Sequence, residues 1–384
     1  MNLPIAPSTF SNKQLFHQAF LHVSGIASVV ILLLGTLGVS AQDTPEDPQP
    51  IRWGFVGTGS IANLMAKATK NAPNAVLTAS SSRTLEKAEK FVAKYEASKA
   101  FDSWAEMCQW DGIDAVYIAT PTSVKEEIAI AAAQAGKHVL CEKPLPSLPA
   151  LNRILAACHK NNVAFMDGTH FSHHPRSIQL EDQINDLAGQ RRTLDTIFQF
   201  KIRNKTNIRV NPELEPMGVL GDLGWYNMRA VVDYITPNVE LKTVSAFIRR
   251  DQESQAVIGS TGLLTFADGS TCTFSCAFDA GASRQHTRIV GDQGDIDIPK
   301  FVGHDKDNSA SYIHSAKANK PSTQTIKVEA PRPDSAILFE DFATQVHDPT
   351  LREKWETKSK RTQELLDAVW ASALANEKPQ TTSP

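Results

Sequence analysis

Cysteine is scarce in this chain. Its five cysteines are odd in number and scattered through 384 residues, so neither a disulfide framework nor a zinc site is indicated. The closest two, Cys272 and Cys276, lie in a β-branched and aromatic run, where residues four apart are roughly 13 Å from each other, too far for a bridge. The sequence therefore predicts free, mostly buried thiols.

An excess of basic charge is also missing. Thirty-nine Lys and Arg residues stand against 42 Asp and Glu, which gives a net charge of −3. This balance offers no basic face to a nucleic acid backbone, so nucleic acid is not an expected partner. With 41% hydrophobic residues, 20 Gly and 21 Pro, the composition also excludes collagen-like, coiled-coil and wholly disordered chains. The length favours two domains.

Long apolar runs are absent except near the amino terminus. Residues 14–41 carry no formal charge and contain the apolar run 25–38, which is followed by small residues at 39–41 and a polar, Pro-rich linker at 42–50. This pattern predicts a signal peptide over residues 1–41 and a secreted or extracytoplasmic protein. An uncleaved membrane anchor, an organelle-targeting segment and a misassigned start remain alternatives, and only an anchor would bring the protein to a membrane.

A glycine-rich turn follows the first strand-like run after this leader. Residues 51–56 have the pattern of a short apolar strand, and the next six form G-x-G-x-x-A before a helical pattern begins. These small residues permit a tight turn, a close approach of the backbone to a pyrophosphate and close packing of helix on strand. The helix amino terminus then faces the phosphates. The pattern predicts a dinucleotide-binding site formed by Gly57, Thr58, Gly59, Ser60, Ile61 and Ala62.

The second predicted strand, at residues 75–80, ends without an acidic residue. An NAD-preferring site usually places Asp or Glu there to hold the ribose 2′-hydroxyl, whereas Arg accommodates a 2′-phosphate. Ser82 and Arg83 stand at this position instead. They predict NADP as the cofactor.

Two further strand ends carry polar residues. Thr120 and Pro121 follow one apolar strand, and Glu142 and Lys143 follow the next. Open parallel sheets bind their ligands at such carboxyl ends, so these four residues join the predicted cofactor-binding set. Pro144 cannot continue the strand, which places Lys143 on a turn at the mouth of the sheet.

Three separated motifs together resemble those of the Gfo/Idh/MocA oxidoreductase family. They are the glycine-rich turn at 57–62, the segment AGKHVLCEKP at 135–144 and the segment GDLGWY at 221–226. The likeness extends over about residues 51–376. The segment between residues 166 and 176 is similar to the branch that contains glucose-fructose oxidoreductase, dimeric dihydrodiol dehydrogenase and NADP-dependent xylose dehydrogenase.

The resemblance implies an α/β protein with two domains. An N-terminal Rossmann dinucleotide-binding domain is expected over residues 51–171, an α/β domain with a large, mainly antiparallel open sheet over 172–376, and a tail over 377–384. One face of that sheet is expected to cover nicotinamide and substrate, and the other face to form a homodimer.

Local patterns in the second region agree with this expectation. β-rich runs stand at 196–202, 243–248, 261–266 and 271–278, and a hairpin turn joins the last two. Two helical patterns follow, at 335–346 and 358–375.

The resemblance also implies catalytic residues. In related enzymes the lysine of the Glu-Lys-Pro turn lies beside the substrate, and a Tyr or His four residues after an Asp completes the site. Here these residues are Lys143, Asp222 and Tyr226. An ammonium beside a tyrosine is expected to lower its pKa from about 10 towards the working range. We therefore assign Tyr226 as acid/base, Lys143 as its electrostatic partner and a substrate hydrogen-bond donor, and Asp222 as the orienter of a substrate hydroxyl or of Lys143.

Two other residues are candidate substrate contacts. Arg209 lies in the segment that approaches the substrate in relatives, where it binds a hydroxyl or phosphate or serves as an exposed structural residue. His174 is either a substrate contact or a satisfied structural histidine. Lys125 stands where many relatives carry a histidine on the cofactor side. No metal site is predicted from the histidines.

The expected function is an NADP-dependent oxidoreductase that transfers hydride between nicotinamide and a CH–OH carbon of a small-molecule sugar, polyol or trans-dihydrodiol. Two alternatives stay open: a hydrolase or lyase that acts on glycosides by transient use of a bound nicotinamide, and a non-catalytic NADP-binding protein. Because free NADP is scarce outside the cytoplasm, export would require tight retention of the cofactor.

Overall fold

The computed structural model describes residues 49–235, 239–316 and 322–377. The leader expected over residues 1–41 lies outside these ranges. Across the ranges that are described, no helix is both long enough and apolar enough to cross a membrane.

The first sheet consists of six parallel strands of the described chain, in the order β3-β2-β1-β4-β5-β6. The strands are β1 Ile51–Val56, β2 Ala75–Ser81, β3 Lys99–Phe101, β4 Ala115–Ile118, β5 His138–Cys141 and β6 Phe165–Asp167. The connecting helices are α1 Ser60–Thr69, α2 Leu85–Tyr95, α3 Trp104–Gln109, α4 Lys125–Gln134 and α5 Leu148–Lys160. The strand order reverses between β1 and β4, so their carboxyl ends flank the crevice where such sheets bind ligands. The expected Rossmann-type sheet is confirmed.

The second sheet consists of eight strands of the described chain, in the order β14-β13-β12-β11-β7-β10-β9-β8. The strands are β7 Arg191–Lys201, β8 Leu241–Arg250, β9 Val257–Phe266, β10 Thr271–Ala277, β11 Asp279–Gly291, β12 Gly294–Ile298, β13 Ala310–Ala316 and β14 Ser322–Val328. Neighbouring strands are antiparallel except β7 and β10, which run parallel. The large, mainly antiparallel sheet is therefore confirmed.

Three helices of the described chain accompany this sheet: α6 Pro175–Ala188, α7 Trp225–Tyr234 and α9 Arg352–Glu377. A fourth, α8 Asp334–His347, lies against the first sheet. The inward side of the sheet follows the two-residue period of a strand, as in β10, where Cys272, Phe274 and Cys276 are buried and the residues between them are less so. All five cysteines are free and buried, which confirms the sequence-based prediction.

Helix α8 returns to the first sheet and covers one of its faces. Phe339 and Phe342 lie with their ring centroids 4.9 and 4.8 Å from that of Trp53 on β1. The same apolar cluster includes Phe55 and Tyr117 of the central strands. A helix from the carboxyl-terminal part of the chain thus completes the core of the amino-terminal sheet.

A buried ion pair fixes the helix that carries Tyr226. Arg229 of α7 lies 2.5 Å from Asp167 at the end of β6, and both side chains are almost fully buried. Arg229 Nε also donates to Thr362 Oγ1 at 2.8 Å, and Ser359 Oγ donates to Asp167 at 2.5 Å, both from α9. Because buried charges must be paired, this network ties α7 to β6 and to α9.

Candidate active site

The glycine-rich turn has the geometry of a phosphate site. Gly57 has a φ of +104°, and a Cβ at this position would lie 2.8 Å from the Ala119 carbonyl oxygen. Gly59 caps α1, no side chain caps that helix, and a Cβ at Gly59 would have no atom within 4 Å. The first N–H groups of α1 therefore have no side-chain cap, and the space beside Gly59 is open, as a pyrophosphate at a helix amino terminus requires. Ala62 is fully buried, as close packing of α1 on β1 requires.

The end of β2 meets this turn. The hydroxyl oxygens of Thr58 and Ser82 lie 3.4 Å apart. Arg83, the next residue, is exposed. Its guanidinium can therefore reach a 2′-phosphate placed beside Ser82.

Two buried hydroxyl groups at the same edge of the sheet lack hydrogen-bond partners within the described residues. They are Ser81 Oγ at the end of β2 and Thr120 Oγ1 after β4. An unsatisfied buried hydroxyl is costly, and polar atoms of a ligand would satisfy both groups. Together with the open space beside Gly59, this shows that the residues present fit a dinucleotide.

The turn after Thr120 is held by residues of other segments. Pro121 precedes a short helical turn in which Thr122 donates from Oγ1 to Glu215 at 2.6 Å and from its N–H at 3.1 Å. Lys125 is buried and donates from Nζ to the Pro144 carbonyl oxygen at 2.8 Å. Lys125 thus braces the turn that carries Lys143.

Lys143, Asp222 and Tyr226 come together at the mouth of the first sheet. Lys143 Nζ lies 2.5 Å from Asp222 Oδ1, and 4.7 Å from the centroid of the Tyr226 ring, over its face. All three side chains are buried or nearly so, with Tyr226 only 6% exposed. A π-helical turn, Leu220–Gly224, leads into α7 and carries Asp222, so the expected helix begins here with a wider turn.

The pKa values of this group differ from the expectation in one respect. Burial raises the pKa of Tyr226 to about 12, and the neighbouring charge of Lys143 lowers it by less. The expectation that Lys143 brings the pKa of the tyrosine into the working range is therefore wrong, because burial has the larger effect. Burial lowers the pKa of Lys143, but Asp222, Tyr226 and Glu142 raise it by more, so the amine stays protonated. Burial raises the pKa of Asp222, yet Lys143 and Arg209 bring it down to about 2.

Arg209 lies in the same cluster. Its Nε donates to Asp222 Oδ2 at 2.6 Å, so one carboxylate is shared by two cations. The side chain is about one-third exposed, in contrast to the buried Lys143. Its terminal nitrogens can therefore meet a hydroxyl or an anionic group of a substrate.

Glu142 places a second carboxylate near Lys143. Its carboxylate is buried and accepts a hydrogen bond from Tyr117 Oη at 2.8 Å. A Cβ at Gly168, the residue after β6, would lie 2.7 Å from Glu142 Oε1, so a side chain at this position would displace the carboxylate. Glu142 thus acts on the site through the charge that it places beside Lys143.

His174 has both ring nitrogens occupied by the backbone. Nδ1 accepts from the Arg176 N–H at 3.0 Å as the cap of α6, and Nε2 lies 2.8 Å from the Asn308 carbonyl oxygen. Both nitrogens thus have partners within the protein, which favours a structural role, and a contact of His174 with the substrate stays a prediction.

His170 is a site residue that sequence reasoning did not single out. Its ring centroid lies 6.4 Å from that of Tyr226, and its Nδ1 is 3.6 Å from Asp334 at the start of α8. One signal was available: His170 follows β6, and residues after parallel strands gather at the ligand-binding edge. Asp334 carries no such signal.

The phosphate turn and the lysine at the adjoining strand ends define a nicotinamide-dependent oxidoreductase. Residues 51–169 match the family model described as the Gfo/Idh/MocA oxidoreductase family, NAD-binding Rossmann fold, and residues 186–297 match the Gfo/Idh/MocA C-terminal domain. The chain belongs to the Gfo/Idh/MocA family and is an NAD(P)-dependent oxidoreductase.

Relatives of known activity lie within this family. A dTDP-3,4-didehydro-2,6-dideoxy-alpha-D-glucose 3-reductase of Actinomadura kijaniata is 29% identical over 60% of this chain and 69% of its own length. A trans-1,2-dihydrobenzene-1,2-diol dehydrogenase of Xenopus laevis is 28% identical over 65% of this chain and 76% of its own. The crystal structure of KijD10, a 3-ketoreductase from Actinomadura kijaniata in complex with NADP and TDP-benzene, superposes with a TM-score of 0.77 at 24% identity, covering 84% of this chain and 98% of that one. This last likeness concerns the fold.

Proposed function

We propose that the protein is an NADP-dependent oxidoreductase acting on the CH–OH carbon, or the corresponding carbonyl, of a sugar, polyol or trans-dihydrodiol. The observation that carries the proposal is the contact of Lys143 with both Asp222 and the face of Tyr226. This contact lies at the strand ends where a bound nicotinamide, which accepts or donates the hydride, would reach a substrate.

The protonation states of Lys143 and Tyr226 suit the reduction of a carbonyl. Because the pKa values of Lys143 and Tyr226 are both raised, each side chain holds a proton at neutral pH. Two such donors stabilise the oxygen of a carbonyl as negative charge develops on it, and Tyr226 supplies the proton that completes the alcohol. Asp222 holds the ammonium in place and remains ionised.

The substrate class is supported by the relatives and by the polar groups at the site. The relatives named above act on a deoxysugar and on a dihydrodiol. Arg209 and Asp222 offer a donor and an acceptor beside Lys143, as vicinal hydroxyl groups require.

Binding of NADPH against NADH to the full-length protein tests the cofactor. We expect NADPH to bind more tightly than NADH. Arg83→Ser should weaken NADPH binding about 10- to 100-fold and leave NADH binding unchanged, since one charge-assisted hydrogen bond is worth roughly 1.5–3 kcal/mol. Lys87→Ser, an exposed change on α2, is the matched control. Fluorescence titration measures the affinity of each of the three proteins for both nucleotides, and nucleotide that co-purifies is assayed separately.

Other outcomes of that titration are equally informative. Equal affinity for the two nucleotides would refute NADP preference, and binding of neither would refute the oxidoreductase. With D-glucose, D-xylose, myo-inositol and a benzene trans-dihydrodiol as substrates, net formation of NADPH supports the proposal. Cleavage of a glycoside without net NADPH would instead favour the hydrolase alternative.

We also propose that the open face of the second sheet forms a homodimer. Phe247 on β8 and Leu263 on β9 lie on the face opposite Ala246, which contacts α9, and their side chains are 54% and 41% exposed. Exposed apolar residues on one sheet face are typical of an interface. Phe247→Glu is expected to halve the mass measured by light scattering, whereas Lys87→Glu, an exposed change on α2, leaves it unchanged. A monomeric native protein would refute the dimer.

A further inference from the structure

His170 lies between Tyr226 and a buried carboxylate. It begins the short helical turn His170–His173 that follows β6, with its ring 6.4 Å from the Tyr226 ring, centroid to centroid. On its other side, His170 Nδ1 is 3.6 Å from Asp334 Oδ2, and Asp334 is buried. Three segments far apart in the sequence thus meet at one imidazole.

His170 is mostly buried, with its side chain 17% exposed. Its Nδ1 is fully buried and has no hydrogen-bond partner among the described residues. Asp334 Oδ2 lies 3.6 Å from this nitrogen, which is too long for a hydrogen bond but close enough for an ion pair with the protonated ring. The exposed part of the ring is in contact with solvent.

The charges around His170 favour its protonated form. Burial lowers the pKa of His170, but Asp334 and Glu142 raise it by more, against the opposing charge of Lys143, so the net pKa lies above its ordinary value. Asp334 also faces His304, whose Nε2 is 3.8 Å from Oδ1 and whose side chain is about one-quarter exposed. His304 therefore links the His170–Asp334 pair to the protein surface.

The site needs such a group because its two donors are already protonated. Tyr226 is buried and neutral, so it can accept a proton from an alcohol only if it gives up its own. Lys143 is also protonated. Among the residues described around this tyrosine, His170 is the one whose ordinary pKa lies near neutrality.

We propose that His170, paired with Asp334, exchanges the proton of Tyr226 with solvent during turnover. This inference rests on the proposed oxidoreductase function. In oxidation, the hydride leaves the substrate carbon for the nicotinamide, the hydroxyl proton passes to Tyr226 Oη, and the proton held there passes through water to the neutral ring of His170. The imidazolium, paired with Asp334, then releases this proton to water. In reduction the same protons move in the opposite direction. His170 thus acts on the reaction through Tyr226, which makes it a positioning residue and not a catalytic one.

The test combines kinetics with a measurement that needs no cofactor. We expect His170→Gln to lower kcat for oxidation of the best substrate of the panel about 10- to 100-fold, to increase the solvent deuterium isotope effect and to leave NADPH affinity unchanged. Added imidazole is expected to restore part of the rate to the smaller variant His170→Ala. His347→Gln, an exposed change at the far end of α8, is the control.

The variant Asp334→Asn provides a second test of the inference. In the cofactor-free protein, NMR titration of the His170 ring is expected to show a lower pKa in this variant, because the carboxylate that raises it is gone. Oxidation requires neutral His170, so its rate should rise with pH through the pKa of His170, and the variant should move this rise to lower pH. A His170 titration that Asp334→Asn does not change, or an unchanged pH profile in His170→Gln, would overturn the inference. Failure of the wild-type protein to bind either nucleotide would instead refute the proposed function.

Discussion

Replacement of Lys143 by Met is expected to lower kcat/KM by about 10²- to 10⁴-fold, the range of a group that stabilises and helps protonate a reacting oxygen. The change removes the ammonium that lies on Asp222 and over Tyr226, and it leaves the phosphate turn intact. Affinity for NADPH should therefore stay nearly unchanged. Initial rates followed by nicotinamide absorbance, with a separate binding titration, give both quantities.

Two further variants make the Lys143 result specific. Lys160→Met, an exposed change at the end of α5, should keep the native rate. Lys143→Arg keeps a positive charge but places a planar group in a site shaped for an ammonium, so its rate should lie between those of the native protein and Lys143→Met. A rate close to the native one in Lys143→Met would contradict the proposed chemistry.

Arg229→Met is expected to lower the free energy of unfolding by about 3–5 kcal/mol, because it leaves Asp167 as an uncompensated buried charge. Within the described ranges, Asp167 would keep the N–H and hydroxyl groups of Thr169 and the hydroxyl group of Ser359 as partners. Urea denaturation followed by circular dichroism measures the loss. Arg192→Met, which removes an exposed arginine on β7, should change the free energy by less than about 1 kcal/mol.

The pairing itself is tested by the double variant Asp167→Asn with Arg229→Met. This variant should lose less than the sum of the two single changes, since no buried charge is left alone. Burial raises the pKa of Asp167, but Arg229, Ser359 and Thr169 lower it by more, to below its ordinary value. The stability from this pair is therefore present above about pH 4 and is lost as the pH falls through the lowered pKa. Simple additivity of the two changes would show that the ion pair does not stabilise the fold.

Much of the fold is readable in the sequence because its strands carry strong local signals. The strand β4 is a continuous apolar run, and the β9–β10 hairpin has a turn at Gly269 with φ +83°. Strands β11–β14 were not identified one by one. The strand β14 is mostly exposed and shows no clear two-residue burial period, so its pairing with β13, rather than its own side chains, makes it a strand.

The site residues also differ in whether local sequence identifies them. Lys143, Asp222 and Tyr226 were found from motifs, and the structure brings them into contact. His170 and Asp334 belong to segments that only the tertiary fold joins, so no local pattern connects them. The raised pKa of Tyr226 could not be predicted either, because it depends on how deeply the ring is buried.

The position of α8 has a consequence for biosynthesis. The aromatic face of the first sheet is covered only in part, by α1 and α2, until Phe339 and Phe342 emerge from the ribosome, long after Tyr117 has been made. At roughly 5–20 residues per second, this interval lasts on the order of ten to forty seconds. During that time Trp53 lacks both of these aromatic neighbours, so the amino-terminal half acquires its complete core only when translation is almost finished.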